Sequence, residues 1–194
     1  MRTPPTARPE VLDGIVAMLD DLPFFETTAQ AAAFGLVAAM KAVPSLAGMA
    51  LLRDESPDGS GGYVVVYARG ATPGALELVR SRVPEDDTAI GAALVRGGPV
   101  SLEYGDGRRP PWRHTAFGDP WTSVIVPVHD EAAPGRCLGS LELVDPTDGR
   151  PLDDFARETL ATIARRLVEL RRGRPTRADD LSNVFAPAQL GLED

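Results

Sequence analysis

The chain has 194 residues, 43% of them hydrophobic, with a formal net charge of −8; this suits one globular domain with short extensions and excludes global disorder. Lys41 is the only lysine, so the clustered basic surface that a nucleic-acid backbone demands is missing. Cys137 is the only cysteine, which rules out an intrachain disulfide and a thiolate metal cage and makes the cytoplasm the expected location.

Residues 1–9 hold three prolines and predict a flexible lead-in without the apolar stretch of a secretory signal. No apolar run approaches the roughly 20 residues that span a bilayer. Leu12, Ile15, Leu19 and Leu22 recur at steps of three and four, the mark of an amphipathic helix, and Pro23 falls just past its end. A second helix is expected over Ala29–Val43, capped by Thr28 and stopped by Pro44. The period then shortens: Leu46–Arg53 and Tyr63–Arg69 read as strands around the turn-rich DESPDGSGG. A helical turn opens near Thr72-Pro73, followed by a short strand, a helix over Thr88–Arg96, a Gly97-Gly98 stop and a strand at Pro99–Glu103.

Residues 105–120, with three prolines, three glycines and three arginines, predict a long irregular loop of the kind that carries function. Two strands follow, Trp121–His129 and Arg136–Val144. Pro127 argues against a central strand unless its missing N–H falls at an edge or a bulge. Leu152–Arg172 is a helix striped by Leu152, Phe155, Leu160, Ile163, Leu167 and Leu170, with acids at its start and arginines at its end. The tail, residues 173–194, is polar apart from Leu181, Val184, Phe185 and Leu190; docking and disorder both stay open for it. Paired strands joined by turns and flanked by helices predict an α+β fold, an antiparallel sheet with helices on both faces.

Three phrases in this order resemble the GAF family of sensory domains. They are the strand pair LAGMALLRD…GGYVVVYARG, the segment RVPEDDTAIGAALVRGGPVSL, and the run SVIVPVHDEAAPGRCLGSLELVDPTDGRPLDDFARETLATIARRLVEL. The resemblance spans residues 10–172 and implies a GAF-like, PAS-like central sheet of five or six strands. It also implies that proline is at home at position 127. Members of the family bind cyclic nucleotides, bilins, haem, iron or small metabolites, or serve as dimerisation and docking modules. The Asn-Lys…Phe-x-x-x-Asp-Glu signature of the cyclic-nucleotide binders is missing around Val144–Glu158. One cysteine cannot form the disulfide relay of the family's free methionine-sulfoxide reductases.

Candidate sites follow from the residues that remain. The long loop and its flanks nominate Trp112, Arg113, His114, Trp121 and Ser123, with Arg82 more distant, as contacts for a small ligand of unknown identity. His114 also reads as an ordinary loop residue. No nucleophile–base pair and no group of metal ligands emerges, so no catalytic role and no metal is expected, and the identity of any cofactor stays unknown. Glu85-Asp86-Asp87 reads as the acid-rich start of a helix, and Cys137 as a small packing residue. Leu12, Ile15, Leu19, Leu22, Ile163, Leu167 and Leu170 form apolar seams suited to a homodimer, or to a helix pair within one chain. The function expected is a non-catalytic sensory module coupled to a separate signalling protein. The alternative is a ligand-free dimerisation or adaptor scaffold that docks a protein partner. Neither nucleic acid nor membrane is expected as a partner.

Overall fold

The computed structural model describes residues 27–54, 61–104, 109–129 and 137–171, together with Asp13, Gly14, Ala17 and Phe25. The stripe at Leu12, Ile15, Leu19 and Leu22 lies outside these residues, although Asp13, Gly14 and Ala17 have helical backbone. The tail after Arg171 also lies outside them.

The first helix whose bounds fall among the described residues, α1, runs Thr28–Ala42. Its cap is Thr27, one residue earlier than the sequence suggested. The Thr27 hydroxyl accepts from the Gln30 amide at 3.1 Å, and the Gln30 side chain accepts from the Thr27 amide at 3.2 Å. This reciprocal box satisfies two amides that a bare helix start would leave open, and Thr28 has no glutamine three residues on. The remaining elements in chain order are β1 (Ser45–Arg53), β2 (Tyr63–Arg69), α2 (Gly74–Glu77), β3 (Arg82–Val83), α3 (Thr88–Val95), β4 (Val100–Glu103), α4 (Trp112–Thr115), β5 (Thr122–His129), β6 (Cys137–Pro146) and α5 (Asp154–Arg171). The expected loop at 105–120 thus contains one turn of helix, α4.

The strands form one six-stranded sheet in the order β3-β2-β1-β6-β5-β4, and every pairing is antiparallel. Strand alternation sorts the side chains between two layers. Ala50, Leu52, Val64, Val66, Val124, Val126, Leu141 and Leu143 face α1 and α5 and join the larger core. Small residues bring α1 close: a Cβ on Gly35 would sit 2.6 Å from Cγ2 of Ile163. On the other face Met49, Leu51, Tyr63, Val65 and Cys137 pack with Ile90 of α3. Helices therefore cover both faces, as an α+β sandwich requires.

Pro127 is accommodated by the shortness of β4. The Tyr104 amide donates to the Trp121 carbonyl at 2.8 Å, so the backbone groups of residues 121, 123, 125 and 127 point toward β4 by the period of two. β4 pairs with β5 only from Ile125 back to Thr122. At Pro127 the partner has ended, and the absent N–H faces the open edge.

Gly139 marks the tightest backbone approach. It has φ +152°, and a Cβ there would lie 2.0 Å from the Leu51 carbonyl oxygen on β1. The pairing of β5 with β6 shifts register close by, between Val128 and His129. Gly139→Ala is expected to lower unfolding free energy by at least about 2 kcal/mol, measurable by urea denaturation; an unchanged midpoint would contradict the close approach.

Candidate functional site

β6 carries a wholly buried carboxylate, Glu142, between Leu141 and Leu143 in the middle of the strand. Glu142 is flanked across the sheet by Met49 on β1 and Ile125 on β5, and all three are wholly buried. A bare carboxylate in such surroundings would cost several kcal/mol. Arg113, also wholly buried, neutralises it from α4 with a two-pronged contact. Nε donates to Oε2 at 3.0 Å and Nη2 to Oε1 at 2.9 Å. The planar guanidinium matches a carboxylate edge in this way, and a lysine could not.

The third guanidinium arm reaches α3. Arg113 Nη1 donates to Oδ2 of Asp87 at 2.6 Å. The other oxygen of Asp87 accepts from the Ala89 and Ile90 amides at 3.1 and 3.0 Å, capping α3. One carboxylate thereby starts a helix and completes the coordination of a buried cation. The reading of this acid-rich stretch as a helix start holds for Asp87, and the Arg113 contact adds a second role. Glu85 is used differently, pairing with Arg53 at 2.5 Å.

His114 and two hydroxyls extend the cluster along the sheet. His114 Nε2 lies 2.6 Å from Oε2 of Glu142. Ser140, two residues back on the same face of β6, donates to Oε1 at 2.8 Å. The Tyr104 hydroxyl is 2.8 Å from His114 Nδ1 and 2.6 Å from Ser123 Oγ. Glu142 is ionised and can only accept, so His114 carries its hydrogen on Nε2 toward it. In the neutral ring the hydroxyl hydrogens then run from Ser123 to Tyr104 to Nδ1, an assignment made from the bonding pattern.

The titration directions fit this arrangement. Burial alone would raise the Glu142 pKa, but the Arg113 charge and the bonds from His114 and Arg113 hold it well below the carboxylate range. Burial would lower that of Arg113, but the Glu142 charge outweighs it, and the guanidinium is pushed further up. The Tyr104 hydroxyl is pushed up to about 12, chiefly by burial, against the opposing bond from Ser123.

The residues nominated from the sequence are thus divided. Arg113, His114 and Ser123 meet in one buried cluster, and their polar groups point at partners within the chain. Trp112 and Trp121 flank the loop with 48% and 38% of their surfaces exposed. Arg82 does not join them: it lies on β3 at the far edge of the sheet and pairs with Asp54 at 2.7 Å. Glu142, Tyr104 and Ser140 were missed. The signal that could have found Glu142 is a lone acid inside the apolar run LGSLELV. Cys137 is buried, with its Sγ 3.0 Å from the Gly139 carbonyl oxygen, in keeping with a packing role. Ile163 and Leu167 are wholly buried in the core shared with α1, and Leu170 is half-buried at its margin. The apolar surface of Ile163 and Leu167 is covered within a single chain. Among the described residues no group of three metal-ligating side chains occurs, and no helix is long and apolar enough to cross a membrane.

The sequence profile of the GAF domain matches residues 21–169. The chain belongs to the GAF domain family. Solved structures resembling it include the GAF domain of a phosphoenolpyruvate-protein phosphotransferase (ptsP) from Coxiella burnetii, 17% identical with a TM-score of 0.64 over 86% of this chain and 95% of that one. The GAF domain of the Acinetobacter phosphoenolpyruvate-protein phosphotransferase is 16% identical, with a TM-score of 0.62 over 87% and 96%. Free methionine-R-sulfoxide reductase from Neisseria meningitidis, solved in complex with its substrate, is 18% identical, with a TM-score of 0.58 over 84% and 87%. Identities this low establish the fold. No curated protein matches the chain. GAF domains are sensory and regulatory modules of signalling proteins.

Removing one partner of a buried ion pair strands the other charge. Glu142→Gln is therefore expected to destabilise this GAF domain by about 3–5 kcal/mol in urea denaturation. The pH dependence has a definite sign. The unfolded chain protonates Glu142 near its ordinary value of 4.5 and the folded chain well below it. The stabilisation is therefore complete above about pH 4.5 and is lost as pH falls. Thermal midpoints measured from pH 7 to pH 3 should fall more steeply for the wild type than for Glu142→Gln; parallel curves would contradict the assignment.

Proposed function

We propose that this GAF domain is a non-catalytic regulatory module that works through contacts with a protein partner, its sheet face closed by its own side chains. The observation carrying this reading is Arg113, whose Nε, Nη1 and Nη2 each already meet a carboxylate oxygen. A residue that would recognise an anionic ligand is occupied internally. An incoming ligand would have to replace these bonds before gaining any. The partner is a separate signalling protein or a second copy of the chain, and the helical face built from α1 and α5 is the natural route of coupling. The lone cysteine, buried in the core, supports a non-catalytic role.

A second reading is favoured by Trp112 and Trp121, exposed residues that bracket Arg113 and His114 in the sequence. Aromatic surface of this kind suits a small planar molecule held by stacking, without disturbing the cluster beneath.

Two measurements separate the readings. Native mass spectrometry of the freshly purified chain is expected to give the mass of protein alone. Thermal-shift screening against nucleotides, amino acids and phosphorylated metabolites is expected to leave Tm unmoved. A compound that raises Tm in the wild type but not in Trp112→Ala would establish the second reading. One whose effect is lost in Arg113→Lys would overturn the first.

A further inference from the structure

On the helical face, away from the cluster, a groove of about 310 Å³ opens beside α5. It is lined by Val126, Pro127 and His129 of β5, by Ala161, Ala164 and Val168 of α5, and by the Gly97-Gly98-Pro99 turn. This is where β4 has ended, so no strand covers β5 at this point. The size is at the low end of small-ligand pockets, about 300–1,000 Å³, which suits a few apolar side chains and excludes a whole helix. Glu169 on the rim is paired with Arg166 at 2.7 Å. Arg165, on the same rim, bonds to Thr162 of its own helix at 3.3 Å and is exposed. The groove thus offers an apolar floor under a cationic edge.

We infer that this groove receives the chain's own segment Asp179–Phe185, with Leu181, Val184 and Phe185 on the apolar floor and Asp179-Asp180 against Arg165. Three observations converge on that occupant. The segment DDLSNVF has its apolar residues three and four apart in sequence, a spacing that lets them meet one apolar surface together, directly behind two acids. The order of charge and apolar surface matches the groove. The connection is short: α5 ends at Arg171, one turn beyond the groove residue Val168. Residues 172–180 span up to roughly 30 Å when extended, while Ala161 to Val168 covers only about 10 Å of helix. The tail can therefore fold back along α5 and still reach the far end of the groove. Pro127 offers no N–H at this edge, so docking proceeds through side chains and not by adding a strand. The inference is independent of the function proposed for the cluster.

Hydrogen exchange read by mass spectrometry on the full chain tests it. In the double variant Leu181→Asp/Phe185→Asp, peptides covering residues 97–99, 126–129 and 161–169 should exchange several-fold faster than in the wild type, while peptides over β1 and β2 stay unchanged. Arg165→Glu, an exposed position, should produce the same footprint in a weaker form. Unchanged exchange in the groove peptides of both variants would overturn the proposal. Wild-type protection that disappears on dilution would overturn it as well, since the occupant would then be the tail of a second copy.

Discussion

Everything on the loop-bearing face of this GAF domain depends on one interaction, the two-pronged contact between Arg113 and Glu142. Neither charge could be buried alone, because each would forfeit its hydration without return. Held together, they join α4 to the central strand β6, and the third arm of Arg113 draws in the start of α3 through Asp87. Ser140, His114, Tyr104 and Ser123 complete the set by occupying the carboxylate's remaining lone pairs or one another. Such a network is stabilising only when every member is satisfied. The layer is therefore specified as a unit: the α3 cap, the α4 turn and the residue after β4 take up their positions together.

The same strand connects this layer to the helical one. Glu142 and Ser140 face the cluster while their neighbours Leu141 and Leu143 pack beneath α1 and α5. Any displacement of α4 that pulled on Glu142 would act on β6, the strand paired with both β1 and β5. A regulatory domain needs such physical continuity between its two faces, whether the stimulus is a small molecule at the tryptophans or a protein at the helices. β6 is the element that holds side chains of both layers on one strand.

Much of the architecture was legible because turns and helix ends punctuate this chain plainly. Gly97-Gly98, Pro44 and the two hairpins delimit elements that the structure reproduces to within a residue or two. The cap of α1 slipped by one residue because two threonines stand side by side and only Thr27 has Gln30 three positions on. The α4 turn was invisible to periodicity: four residues hold no repeat, and so short a helix survives only through tertiary contacts. Arg113, His114 and Ser123 could be singled out by residue type, but not the direction in which they point. That is decided by Glu142 and Tyr104, brought near by strand register, which a single sequence does not encode locally. The seam at Ile163 and Leu167 posed the same difficulty, since a stripe of leucine and isoleucine demands burial without naming what buries it. Gly35 lets α1 approach Ile163, and Ile163 and Leu167 lie in the core that α1 and α5 share.

The position of Pro127 has a consequence for how the protein behaves in a crowd. An open strand edge is a template for another chain's strand, and sheets left unguarded there grow from molecule to molecule. Here β4 stops short and leaves part of β5 uncovered, yet the backbone offers no donor where the exposure begins. At Pro127 the uncovered stretch of β5 lacks the donor that an added strand's ladder would need, so β4 can stay short without β5 becoming a pairing edge at that point.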